Sequence, residues 1–249
     1  MNVLLVPCLG LDVSLIERLA RSVDFPIKYK VAINNGKIGA LDDFKTRHPD
    51  WTVVDMGKNL GCAGSWNMAP EIFPTEPCWL ISNDDQEFQP GCLERICNVA
   101  DEHAKDHDII YVNEFDAYDM FVWTAKGVKD FGTFDENIFP IYLEDYEYRA
   151  RLKAGYGKPF RMLGHMPVKH GKPNAAGKPY HDLLESCKPF NESYLFRKWG
   201  TIGDDPIFRY PFNNPNWPIQ KWELEQEARA KREQFWEIFW NRPNVSLYK

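Results

Sequence analysis

Two pairs of adjacent carboxylates are the first candidates for chemistry in this chain. Asp84-Asp85 ends the run Trp79-Leu-Ile-Ser-Asn-Asp-Asp85, and Glu144-Asp145 stands ahead of Tyr-Glu-Tyr-Arg149. A buried strand that runs straight into two acids must solvate or pair them. At the carboxyl end of a parallel strand the crevice beyond the sheet does this, and open α/β sheets bind ligands there. Carboxylates so placed suit a hard divalent cation, which in turn holds phosphate oxygens. Both pairs also have a plainer account. Asn83, Asp84 and Asp85 all favour turns, and acids in a first helical turn are stabilised by the macrodipole. His170, at the end of Met166-Pro-Val-Lys-His170, is a third group with metal or proton chemistry, although most strand-end histidines are ordinary surface residues. Between the first acids and the amino terminus lies Lys58-Asn-Leu-Gly-Cys-Ala-Gly-Ser-Trp-Asn67. Gly61 and Gly64 let backbone approach a ligand closely at a helix start, where free N–H groups favour anions. The segment lacks the Gly-Lys-Ser/Thr ending of a P-loop and is not G-x-G-x-x-G. No Ser/His or Cys/His nucleophile constellation is visible.

The elements that must position these groups alternate between strand and helix, the mark of a parallel sheet with crossover helices. Val3-Leu-Leu-Val-Pro7 reads as a short buried strand ended by Pro7. Ser14-Leu-Ile-Glu17 fits a capping box ahead of an apolar face of Leu15, Ile16, Leu19, Ala20 and Val23. Strands follow at Ile27–Ile33, closed by the turn Asn34-Asn35-Gly36, and at Trp51–Val54, with a short helix at Leu41–Arg47 between them. Trp79–Asp85 is the fourth strand, and Pro90 opens a helix that turns Leu93, Ile96, Cys97 and Ala100 inward. Ile109–Val112 and Met120–Thr124 are two more strands. The helix begun by Glu144-Asp145 ends at Gly155. Beyond Gly171 the texture changes. Residues 172–178 form a Gly/Pro/Lys loop, helices cover Asp182–Cys187 and Glu192–Trp199, and a last helix runs Pro218–Trp240 with Glu225→Arg229 and Glu227→Lys231 pairs. The aromatic group Phe235, Trp236, Phe239 and Trp240 ends that helix. It docks on the main domain or, as the sharper reading, forms a homodimer contact.

The chain has 249 residues, enough for one large α/β domain or two small ones. A net charge of −6 argues against a broad nucleic-acid footprint. Six scattered cysteines without a C-x-x-C pair read as reduced thiols in a reducing compartment. No secretory leader and no membrane-spanning run is visible, so the expected location is the cytoplasm. Asn191-Glu-Ser193 and Asn244-Val-Ser246 match the glycosylation pattern by chance on this reading.

Four stretches, in this order, resemble the inverting family-2-type glycosyltransferases of the GT-A fold. They are the opening strand with the Asn34-Asn35 turn, the Asn59–Asn67 segment (N-x-G-x-x-G-x-x-N), the strand ending at Asp85 (the Asp-x-Asp-type motif), and Phe134-Asp-Glu through Glu144-Asp145 to Arg151 and Gly155-Tyr156. The last block is the most specific. Rhamnosyl- and galactofuranosyl-type transferases are the subgroups it looks most like. The resemblance covers residues 1–171 and implies a GT-A core, a Rossmann-like, mostly parallel α/β sheet flanked by helices. Residues 172–249 are a mainly helical extension packed on it. It further implies a nucleotide-sugar donor, UDP first and dTDP or GDP after it, and a glycan hydroxyl as acceptor. Mn²⁺ or Mg²⁺ would neutralise the leaving diphosphate, with Asp85 as main ligand, Asp84 as helper and His170 completing the site; imidazole favours Mn²⁺. Asn83 replaces the first acid of the motif and could still bond a ribose. Pro7, Asn34 and Asn35 are expected near the base, with Lys58, Asn59, Gly64 and Asn67 close by. Asp145 is the expected general base, with Glu144 binding the acceptor or serving in its place. Trp123 and Tyr142 are candidate sugar-stacking rings, or else core aromatics.

Two other classes stay open at this point. A nucleotidyltransferase would also put acids at a strand end, but it carries a Gly-rich basic signature after the first strand. Cys8-Leu-Gly-Leu-Asp12 has no basic residue. A binding module with a decayed site is the other, and Asn83 is the residue in its favour.

Overall fold

The computed structural model of the chain describes residues 1–112, 118–162, 168–170, 178–216 and 221–240. Its centre is a seven-stranded sheet. In chain order the strands are β1 (Val3–Cys8), β2 (Tyr29–Asn34), β3 (Trp51–Asp55), β4 (Cys78–Ser82), β6 (Ile109–Tyr111), β7 (Met120–Thr124) and β8 (Pro159–Arg161). In space they run β3-β2-β1-β4-β7-β6-β8. All neighbours pair in parallel except β7, which is antiparallel to both β4 and β6. The order reverses between β1 and β4, which makes that junction the topological switch point. Pro7 lies in β1, a central strand, where its missing N–H should be costly. Pairing of β1 with β4 stops at Leu5↔Ile81, however, so Pro7 falls where the two strands part and a crevice opens.

Alternation within the strands covers both faces. On one, Leu4 and Val6 of β1 pack with Ile16 and Leu19 of α1 (Val13–Ser22), Phe44 of α2 (Asp42–Arg47), and Leu93, Ile96 and Ala100 of α4 (Cys92–His103). On the other, Val3 and Leu5 meet Trp66 and Ala69 of α3 (Gly61–Ile72) and Tyr148 and Leu152 of α6 (Glu144–Ala154). A sheet buried on both faces explains why its strands read as near-continuous apolar runs. A third cluster joins Ile138, Leu143 and Ala150 to Tyr194, Leu195 and Trp199 of α7 (Lys178–Trp199) and Leu224 and Ala228 of α8 (Lys221–Trp240). Through it the C-terminal helices cover the end of the sheet that carries the second acid pair.

Several elements differ from their sequence reading. The cap of α1 is Asp12, whose carboxylate accepts from Ser14 N–H at 3.0 Å; Glu17 instead pairs with Arg21, Arg47 and His48, so there is no capping box. Helix α4 is capped by Gly91 at φ +77°, and Pro90 precedes it rather than starting it. The expected strand to Asp85 stops at Ser82, and a turn at Asn83–Asp85 leads into β5 (Gln86–Phe88). Strand β5 pairs antiparallel with β9 (Val168–His170) in a separate two-stranded sheet. Helix α5 (Ala125–Phe131) and β8 were not expected: each is too short for periodicity to show. The two helices expected around Pro189 are one, α7. Proline removes one hydrogen bond, while buried Cys187, Asn191, Tyr194 and Leu195 tie both sides of it to the rest of the protein. On α8, Glu227 reaches Arg197 of α7 at 3.1 Å, and Glu225 lies 3.7 Å from Lys221. The 172–177 part of the expected loop and Asn244 lie outside the described residues, as do the side chains of Trp236, Phe239 and Trp240; Phe235 is half-buried.

Candidate functional site

The crevice at the switch point opens into two adjoining chambers of about 190 Å³ and about 560 Å³. Cys62, Asn83 and Ile141 line both and mark their junction. The smaller chamber is walled by Pro7, Cys8 and Leu9 after β1, Asn35 after β2, Asn59 and Gly61 at the entry of α3, Asp84 and Asp85 after β4, and Leu184 of α7. The larger holds Glu144, Asp145, Trp66, Tyr118, Asp119, Tyr142 and Tyr146, with Lys188 and Glu192 of α7 opposite. Leu184, Lys188 and Glu192 are four residues apart, so one stripe of α7 faces the whole cleft.

The floor of the cleft is shaped by the 134–143 segment and by what holds it. Asn67 grips Phe134 twice, accepting its N–H at 2.9 Å and donating to its carbonyl at 3.0 Å, and donates to Glu136 at 2.9 Å. Gly61 has φ +71°, and a Cβ there would come within 2.6 Å of the Pro140 carbonyl, so no other residue fits. Tyr142 and Leu143 follow in the left-handed region, at φ 74° and 79°. Such residues persist only where their surroundings over-determine them. Asn191, fully buried on α7, does so: its amide donates to the carbonyls of Ile141 and Tyr142 at 3.0 and 3.2 Å and accepts from Phe139 N–H at 3.3 Å. The glycosylation pattern at Asn191 therefore falls on an inaccessible side chain.

Electrostatics separate the four acids. Burial and the charge of Asp85 push Asp84, a half-buried residue, up to about 7. Burial and Asp145 push Glu144 up to about 8. Burial raises Asp145 too, against the pull of Arg149, whose guanidinium lies 3.3 Å away and also meets Asp204 at 3.1 Å. Burial and the neighbouring charge of Glu144 hold the Cys62 thiol well above its usual range. His170 comes next to the first acids by backbone register, since it pairs with Gln86, the residue after Asp85.

The structure brings Pro7, Asn35, Asn59, Asn83, Asp84, Asp85, Tyr142, Glu144 and Asp145 to the cleft. Five of the other expected residues line neither chamber. Trp123 is fully buried between the sheet and α6, with its Nε1 on the Tyr148 hydroxyl at 2.8 Å, so it cannot stack on a sugar. Asn34 is spent on the turn, bonding Asp55, the Lys37 carbonyl and the Gly36 N–H. Asn67 is the clamp described above. Gly64 is inside α3 against Leu60 and Glu136. Lys58 is exposed and lines neither chamber. Sequence reasoning missed Cys62, Trp66, Tyr118, Asp119 and the α7 stripe. Trp66 and Cys62 sit inside the segment singled out for its glycines and asparagines, so their omission was avoidable; the α7 residues carry no motif. Among the described residues, no group of three His, Cys, Asp or Glu is gathered closely enough to hold a metal ion. None of the described helices is long and apolar enough to cross a membrane.

No family model matches the chain. It is 28% identical over 160 residues, 54% of its length, to a protein of Leishmania donovani named galactofuranosyl glycosyltransferase, and spans 35% of that relative's length. Among solved structures it resembles S. aureus TarS residues 1–349, with a TM-score of 0.55 at 12% identity, covering 99% of this chain and 74% of that one. It also resembles the same protein in complex with UDP-GlcNAc, with a TM-score of 0.54 at 12% identity over 99% of this chain and 76% of that one. The sheet order and flanking helices described above are thus shared with a known α/β fold at very low sequence identity.

Proposed function

We propose that the chain is an inverting glycosyltransferase of GT-A type. It would move a sugar from a nucleoside diphosphate, UDP in the first instance, to a hydroxyl of a glycan acceptor. One observation carries the reading: a carboxylate pair on each of two chambers that meet at Cys62, Asn83 and Ile141. A displacement needs the leaving group on one side of the reacting carbon and the nucleophile with its base on the other, and this arrangement supplies both sides. The glycosyltransferase name of the Leishmania relative and the UDP-GlcNAc complex of TarS support it.

In the smaller chamber Asn35 and Asn59 are already bonded to the α3 entry, so they shape the wall against which a nucleotide base would lie. Asp84 and Asp85 fit a divalent cation, Mn²⁺ or Mg²⁺. Two adjacent carboxyls, one of them raised to about 7 by burial and by its neighbour, are relieved by a positive charge between them. His170, beside them by register, would complete the set. When bound, the ion would neutralise charge on the departing diphosphate. Asn83, at the junction, is placed to bond the donor rather than to carry charge. In the larger chamber Asp145 would take the proton of the attacking hydroxyl at its carboxylate. Its raised pKa makes it a better base near neutrality, and Arg149 keeps it ionised. Glu144, protonated at neutral pH, would bind rather than accept the proton. Attack from the Asp145 side, opposite the diphosphate, inverts the anomeric centre without an enzyme nucleophile.

Calorimetric titration of UDP with and without Mn²⁺ tests the donor half. Mn²⁺ should tighten UDP binding, and Asp85→Ala should remove most of that gain while leaving the melting temperature near wild type. Equal enhancement in the variant would take Asp85 out of the ion site. A hydrolysis panel of UDP-, dTDP- and GDP-sugars, led by UDP-galactofuranose and UDP-GlcNAc, tests the rest. Turnover of none of them, in a protein that binds no UDP, would end the glycosyltransferase reading.

A further inference from the structure

Two buried polar atoms in the larger chamber have no hydrogen-bond partner within the protein: the indole Nε1 of Trp66 and Oε2 of Glu144. Both residues line the chamber, at 2% and 5% exposure. Buried indole N–H groups normally find an acceptor. Here Trp79 donates to the Phe73 carbonyl, Trp123 to the Tyr148 hydroxyl and Trp199 to Glu147. Trp66 cannot turn to do the same. Its ring is wedged edge-to-face against Phe121 and Phe134 and stacked on Tyr118. Glu144 is held by the left-handed turn before it. A held donor and a held carboxyl oxygen thus both belong to residues that line the same chamber.

A hydroxyl is the group that satisfies both, since it accepts and donates at once and meets a carboxyl in either protonation state. An anionic group would take the indole N–H but would then face Asp119, Asp145 and Glu192, with Lys188 as the cation that lines the chamber. We propose that Trp66 Nε1 and Glu144 Oε2 form a hydroxyl-reading pair that selects an uncharged sugar of the acceptor in the larger chamber. Trp66 is then a specificity residue of the reaction proposed above, on which this inference rests.

Saturation-transfer NMR on the full chain, with UDP and Mn²⁺ present, tests it using methyl β-D-galactoside and methyl β-D-glucuronide as probes. The galactoside should bind and the glucuronide should bind about tenfold more weakly or not at all. Trp66→Phe, which keeps an aromatic ring and removes the N–H, should weaken the galactoside about three- to tenfold while UDP affinity holds. Glu144→Ala should weaken the galactoside to a similar extent, and Glu144→Gln should largely restore binding. Unchanged galactoside affinity in Trp66→Phe would mean that water alone serves these atoms, and the proposal falls. Equal binding of the glucuronide, or no glycoside binding by a protein that does bind UDP, overturns it as well. A wild-type chain that binds no UDP at all fails the parent reading instead, and the pair with it.

Discussion

Glu144 and Asp145 are chemically alike and adjacent, and their surroundings give them different proton affinities. Asp145 keeps a guanidinium at 3.3 Å and Glu144 has none, so the proton goes to Glu144 first. Asp145→Asn should therefore lower transfer by about 10²–10⁴-fold with UDP affinity retained. Wild-type turnover in the purified variant would move the base to Glu144. Glu144 also links stability to pH. Its carboxyl titrates near 4.5 in the unfolded chain and at about 8 in the folded one, so the folded protein holds the proton more tightly. Between those values stability falls as pH rises, and above about 8 the loss is complete. Glu144→Gln cannot ionise, so its melting temperature should gain on wild type from about pH 5 to about pH 8 and then run parallel. A constant difference across that window would refute the raised pKa. The acids themselves were legible because runs of apolar residues rarely end in charge. The asparagines were legible only as polar residues at turns. Asn34, Asn35, Asn59 and Asn67 are all bonded to backbone, yet only Asn35 and Asn59 line a chamber, and no local pattern records which side of its turn each amide takes.

At the scale of elements, the acid pair depends on a turn that would not hold itself. Two consecutive non-glycine residues with positive φ precede α6, and Asn191 on another helix ties down the carbonyls of the turn. Asn191→Ala leaves those carbonyls buried and unbonded, at a cost of about 1–3 kcal/mol. Transfer should fall further than that loss of stability explains, because Glu144 and Asp145 start from the turn. Melting curves and turnover measured on the same preparation would check it, and full activity per folded molecule would show that the turn holds its shape without Asn191. Strands β1 to β3 and the apolar faces of α1 and α4 were readable from pattern. Strand β5 was not, because its Gln-Glu-Phe has no pattern of its own and exists by pairing with β9, about eighty residues later. Pro189 misled in the opposite direction: local breaking was outweighed by packing on both sides of it.

Across the whole molecule, α7 is fastened to the core by a buried cation. Lys198 lies 2.6 Å from both Asp135 and Glu147, and Tyr194 and Trp199 bond the same two acids. Burial alone would raise Asp135, but Lys198, the Asn137 N–H and the Tyr194 hydroxyl hold it well below the ordinary carboxylate range. Its contribution is therefore present above that range and lost as pH falls towards the folded value. Lys198→Met should destabilise the chain by about 3–5 kcal/mol, and should flatten the acid limb of its stability profile. Urea melts at neutral and acid pH measure both, and an unaltered acid limb would mean that Asp135 is held by other partners. Phe134-Asp-Glu136 was read only as part of the stretch that carries the family resemblance. Its aspartate turns out to anchor the C-terminal helices, a role that only three-dimensional proximity of distant segments can reveal.

The stripe of α7 that faces the cleft has a consequence for a chain still being made. Every strand of the central sheet has left the ribosome by Arg161, yet Leu184, Lys188, Asn191 and Glu192 have not. A nascent polypeptide can thus assemble its sheet before the pocket has its fourth wall. The cleft should be completed late and abruptly in translation, within the few dozen codons that complete α7, and a fragment released before then should be folded in part but lack the wall that both chambers share.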